Sequence, residues 1–173
     1  MLTTSSVLTA EQWQIDRLLT VARDTIATVR YCWVATRAVD GGANARAVRS
    51  FGGATDSDEW TRRFLTRRGS RKVAELHGDP RVTLAYQADS GDAYVALAGR
   101  ACLVEDRMEM RGLWYGNVAT PFPDDFVDAN MIVVKVEVDR IEIHARGITA
   151  EPFGHGRTLS ERVGGGEWRF VRD

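Results

Sequence analysis

Ile132–His144, IVVKVEVDRIEIH, is the stretch on which the fold turns. Val134, Val136 and Val138 alternate with Lys135, Glu137 and Asp139, the period of a strand with one buried and one wet face. Arg140 breaks the phase, and Ile141 and Ile143 continue one residue out of step. Such a slip inside one strand is a bulge or a sharp bend, as where a sheet curls into a barrel.

The neighbouring segments supply partners for that strand. Arg81–Gln87 (RVTLAYQ) and Tyr94–Val104 (YVALAGRACLV) read as strands joined by the turn ADSGD. Earlier, Tyr31–Thr36 (YCWVAT) is a strand, AVDGGANA a turn, Arg46–Phe51 the returning strand, and Trp60–Thr66 (WTRRFLT) ends as another. Thr9 and Gln12 have capping-box spacing, and Trp13, Ile15, Leu18, Leu19, Ala22 and Ile26 follow at helical intervals. Glu105–Tyr115 is compatible with a helix, and ATPFPDDF with a loop. The expected fold class is therefore mainly β (α+β): an antiparallel barrel of six or seven strands with flanking helices. A doubly wound parallel sheet would need regular strand–helix alternation, which the middle of the chain lacks.

The chain has 173 residues, 44% hydrophobic, with a formal net charge of −1. It reads as one domain, 1–173, with a flexible tail from about residue 151 and a hinge at Gly164-Gly165-Gly166 before Trp168 and Phe170. The balanced charge argues against general affinity for nucleic acid or anionic membrane. Cys32 and Cys102 sit in apolar strand-like runs and are expected to be buried thiols of a reducing compartment. No secretion signal or membrane-length apolar run is visible, so the expected location is cytosolic.

One segment defies the ordinary rules of helix charge. In RRGSRKVAELHGDPRV, Arg67–Val82, Ser70 reads as an N-cap, Arg71–His77 as a short helix and Gly78 as its stop. Arg67, Arg68, Arg71 and Lys72 then crowd the N-terminal pole, where each cation costs roughly 0.3–1 kcal/mol against the helix dipole. A bound phosphate would relieve that repulsion. Free N–H groups, the Ser70 hydroxyl, Arg71 and Lys72 make a matched set for it, with Arg46 and Arg49 nearby if their strand runs alongside. For Arg49, Arg67 and Arg68 a solvated surface role is the better reading.

ARAVRSF, FLTRRGSRKVAELHGDPRVTLAY and AYVALAGRACLV, in this order, resemble successive motifs of the pyridoxamine 5′-phosphate oxidase-like, FMN-binding split barrels, closest to the bacterial general stress protein branch. The resemblance runs from about Glu11 to His144. It implies a homodimer with one FMN in each of two clefts between subunits. Carried over residue by residue, it implies that Arg71 and Lys72 bind the FMN phosphate with help from Ser70. Arg46 would reach the phosphate or ribityl chain, and Val48 would lie against the flavin through its backbone. Leu65 and Thr66 would line the ring from their strand end. Tyr94 occupies the place of a glutamine given by the neighbouring subunit, and Trp114 matches a tryptophan of the stress-protein branch or else caps the barrel as a helix residue.

The chain also departs from the family. Its last long strand ends Glu142-Ile143-His144 where the stress-protein branch often has Glu-aromatic-Trp, and the Arg-Leu-His segment of true pyridoxamine phosphate oxidases is not matched. The implied activity is flavin redox chemistry with an unassigned substrate. The alternatives are a flavin- or ligand-binding stress protein without turnover, and a reductase using the deazaflavin F420. Trp168 would either close over the partner's cleft or hang free. No side chain stands out as a catalytic acid, base or nucleophile. His77, His144 and His155 lack a second ligand at metal spacing.

Overall fold

The computed structural model describes residues 9–52, 58–89, 92–114, 129–149 and 158–171. The loop read in ATPFPDDF, part of the turns GGATDSDE and ADSGD, Tyr115 and residues 150–157 lie outside them. Helix α1 (Ala10–Thr28) begins where the capping spacing places it, with the Thr9 hydroxyl accepting from the Gln12 amide at 3.2 Å. Ile15, Leu18, Leu19, Ala22 and Thr25 form its buried stripe. Trp13, expected with that stripe, instead faces solvent at 58% exposure, beside the Arg17 guanidinium. Replacing Thr9 with Ala removes the cap, and a stability loss of about 1 kcal/mol is expected in urea denaturation.

Among the described residues nine strands follow the helix: β1 (Cys32–Arg37), β2 (Ala43–Val48), β3 (Ser50–Phe51), β4 (Arg62–Arg67), β5 (Arg81–Ala88), β6 (Ala93–Val104), β7 (Met131–Ala145), β8 (Thr158–Glu161) and β9 (Arg169–Phe170). Helix α2 (Arg71–Gly78) lies between β4 and β5, and α3 (Arg107–Trp114) follows β6. The hydrogen-bonded path runs β2-β1-β5-β6-β7-β4-β3, every pairing antiparallel. Its two ends, β2 and β3, are joined through Arg49 alone, so the sheet must roll up for the chain to connect them. That junction divides the single returning strand expected over Arg46–Phe51.

The phase slip in β7 is real. Ala98 on β6 pairs with Arg140, but Gly99 pairs with Val138, leaving Asp139 without a partner on β6. Burial changes phase there: Val134, Val136 and Val138 face the core on one side of the bulge, Ile141 and Ile143 on the other. These residues meet Phe64, Leu84, Tyr86 and Leu97 in the barrel interior, which α1 closes with Ile15, Leu18 and Leu19.

Two sequence expectations are corrected here. Within residues 158–171, expected to belong to a flexible tail, β8 pairs with β7 and β9 with β8. Trp168 is 8% exposed and packs edge-on against Trp60 at 5.8 Å. Buried Arg162 stacks on the same indole, donates to the Val138 carbonyl and pairs with Asp58. A distant aromatic and a buried ion pair thus anchor a segment whose glycines alone suggested freedom. Cys32 is buried as expected, but Cys102 is exposed, because its β6 position opposite Lys135 points outward.

Candidate functional site

The chain leaves β4 at Arg67, turns through Arg68 and Gly69, and enters α2 at Ser70 with extended dihedrals (φ −77°, ψ 148°). Ser70 occupies the N-cap as expected, but its hydroxyl makes no capping bond and sits 3.3 Å from the Thr66 hydroxyl. The amides of the first turn are therefore not capped by a side chain. Lys72 folds back over the same spot, its Nζ donating to Thr66 Oγ1 at 2.7 Å. Thr66 itself is buried at the end of β4, and its register opposite Ile132 fixes it against β7.

The second wall comes from the hairpin β1–β2, where Val34 pairs with Arg46 and Thr36 with Asn44. Arg46 reaches inward to a residue that the motif reading missed, Glu75. This carboxylate is 3% exposed and accepts from Arg46 Nη2 at 2.6 Å, from Asn44 Nδ2 at 2.6 Å and from the Thr36 hydroxyl. Burial pushes the Glu75 carboxyl up, but the hydrogen bonds from Thr36, Arg46 and Asn44, with the Arg46 charge, more than offset this and hold it below its ordinary value. The signal for it was an acid next to Leu76 on the apolar side of α2, where a solvated side chain would not sit.

Glu75 gathers the cations. Arg71 lies 3.6 Å from Glu75 Oε1 across one helical turn, while most of its side chain stays in water. Burial and the nearby Arg46 charge push the Lys72 ammonium down, with Glu75 opposing. Lys72 is thus a partly buried cation with a hydroxyl but, among the described residues, no carboxylate as its direct hydrogen-bond partner. The site carries more positive charge than Glu75 alone matches, and its uncapped amides add to it. A cavity of about 590 Å³ opens beside Ser70, bordered by Arg67, Arg68, Gly69, Ala129 and Asn130. Arg68 also reaches the Met110 sulfur through Nη2.

Of the residues read from sequence, Arg46, Thr66, Ser70, Arg71 and Lys72 come together around the start of α2. Val48 lies further along β2, opposite Cys32, and packs on the barrel core. Leu65 is on the opposite face of β4 from Thr66, among Val104, Met110 and Val133. Trp114 ends α3. Tyr94 is not part of this cluster. It stacks on His144 at 5.5 Å, beyond the bulge and at the far end of β7 from the Thr66–Ile132 pair.

The comparisons agree with this architecture. The FMN-binding, pyridoxamine 5′-phosphate oxidase-related protein of Nostoc punctiforme superposes with a TM-score of 0.61 at 16% identity, covering 96% of this chain and 100% of that one. General stress protein 26 of Bacillus anthracis gives 0.57 at 16% identity, covering 73% and 93%. PhzG of Burkholderia lata, solved with tetrahydrophenazine-1-carboxylic acid, gives 0.62 at 18% identity, covering 96% of each chain. No curated protein matches. At such identities the likeness is one of fold, but the family model described as pyridoxamine 5′-phosphate oxidase like matches residues 19–147, from the middle of α1 through β7 and including every residue that converges on α2. The chain belongs to the pyridoxamine 5′-phosphate oxidase-like family.

Proposed function

We propose that this protein is an FMN-binding flavoprotein of that family, with the flavin phosphate held at the start of α2 and flavin redox chemistry as its activity. The observation that carries the reading is the convergence of Lys72, Thr66 and Ser70 on uncapped helix amides, with Arg46 fixed alongside by Glu75. A phosphate there accepts from the amides and hydroxyls, gains the Lys72 charge and leaves Arg71 free to close over it from solvent. Val48, Leu65 and Trp114 are proposed to line or flank the ring. Bound FMN supplies hydride or electron transfer, and the protein's residues bind it, orient it and exclude water. The proposed assembly is a homodimer with a flavin in each inter-subunit cleft. The remoteness of Tyr94 from Lys72 within one chain favours this, since Tyr94 then serves the site of a second copy.

Fluorescence titration with FMN tests the reading. Lys72→Ala is expected to weaken binding tenfold or more, and Arg68→Ala less than twofold, because Arg68 points at Met110. Affinity should also fall as pH rises through the lowered Lys72 pKa, since only the ammonium attracts the phosphate. Unchanged affinity in Lys72→Ala refutes the assignment. A parallel titration with F420 separates the deazaflavin alternative, one for which a solved F420 reductase of the same fold exists at 18% identity and a TM-score of 0.51.

A further inference from the structure

At the other end of β4 from Thr66 lies a second cationic cleft, whose lining shares no residue with the cluster at the head of α2. It opens between the C-terminal end of α1 and the β2–β3 junction, with a volume of about 440 Å³. Arg23, Arg30, Arg49 and Arg62 line it around Ile26 and Phe51, and its lining includes no carboxylate among the described residues.

The arginines are unequally satisfied. Arg23 pairs with Glu59 at 2.6 Å, and Arg30 lies over the Tyr31 ring at 5.3 Å. Arg62 has no such match: its buried Nε lacks any hydrogen-bond partner, and Nη1 reaches the Glu59 carbonyl only at 3.4 Å. Its guanidinium is seated against Gly52, where a Cβ would stand 2.3 Å from Nη1. Arg49 is exposed, directly between β2 and β3, with no ion pair among the described residues. The α1 C-terminus contributes only about half a negative charge, which these guanidiniums outweigh. A buried guanidinium N–H left unpaired is costly, and an oxyanion is the ligand that relieves it.

We propose that this cleft is an anion site, separate from the flavin phosphate site, for a small organic anion. A carboxylate or phosphate head lies between Arg49 and Arg62, and an apolar body rests on Ile26 and Phe51. The volume suits a ligand of that size rather than a bare inorganic ion, since ligand pockets run roughly 300–1,000 Å³. Separation from the proposed phosphate position follows from β4, because Arg62 begins the strand whose other end carries Thr66.

Isothermal titration calorimetry with phenyl phosphate, benzoate and inorganic phosphate, with and without saturating FMN, tests this. The wild-type protein is expected to bind at least one of the two aromatic anions fivefold or more tighter than inorganic phosphate, equally well with FMN present. Arg49→Glu should lower that affinity at least tenfold and Arg49→Lys far less; both sit on an exposed position, so the fold is retained. Gly52→Ala, which displaces the Arg62 guanidinium, should weaken binding several-fold. No binding to wild type, or binding indifferent to Arg49→Glu, overturns the proposal. So does competition by FMN together with loss in Lys72→Ala, which would place the anion in the flavin phosphate site. Equal affinity for inorganic phosphate overturns the role given to Ile26 and Phe51.

Discussion

Gly99→Ala is expected to destabilise the fold by about 3 kcal/mol or more, at the upper end of the cost of overpacking a well-packed interior. The reason is the bulge. Where Asp139 is squeezed out of register, the β7 backbone is driven toward β6, and a Cβ on Gly99 would lie 2.0 Å from the Glu137 carbonyl oxygen and 2.9 Å from the Val138 Cα. Both neighbours are backbone atoms, so no rotamer change relieves the clash. To admit a methyl group the bulge must flatten, and flattening carries a second penalty. Val136 and Val138 below the slip, and Ile141 and Ile143 above it, face the same core only because the extra residue resets the phase. A chemical denaturation midpoint measures the loss. Wild-type stability in Gly99→Ala would mean that the bulge shifts freely and does not fix the curvature of the barrel.

That same bulge was legible in the sequence, because burial on a strand writes itself as alternation and IVVKVEVDRIEIH shows where alternation fails. Helix α1 was legible for a similar reason, its cap and stripe both being local. What escaped were features set by distant contacts. The strand pairing of β8 and β9 and the anchoring of the segment between them depend on β7, Trp60 and Asp58, and three glycines in a row concealed both. Cys102 reads as buried because Ala101 and Leu103 flank it, yet strand parity turns it outward. In the site, the helix and its cations were visible as a charge pattern opposed to the dipole. Glu75 left only the trace of an acid on the apolar side of α2, because nothing local identifies what it pairs with. Its partners Thr36 and Asn44 come from a hairpin more than thirty residues earlier.

Glu75→Ala is expected to cost about 3–5 kcal/mol at neutral pH, the usual penalty for removing one member of a buried pair and leaving the other charge unmatched. The loss falls on Arg46, whose side chain is 20% exposed and bonds Glu75 at 2.6 Å, and on Lys72, whose nearest carboxylate counter-charge disappears. A double-mutant cycle separates this from simple loss of packing. If the penalty is the stranded guanidinium, Arg46→Met in the Glu75→Ala background should recover a substantial part of it, although Arg46→Met alone destabilises. Additive losses would show instead that Glu75 acts through its bonds to Thr36 and Asn44. The pH dependence gives an independent check. A carboxyl held below its ordinary value in the folded state contributes stability that is complete above its unfolded pKa of about 4.3 and is lost as pH falls through the folded value. Wild type should therefore lose stability on acidification below that unfolded value in a part that Glu75→Gln does not share, and the two stability curves should converge at low pH. Curves that stay parallel would mean that Glu75 is not ionised beside Arg46, and the cations at the head of α2 would then need another explanation for how they coexist.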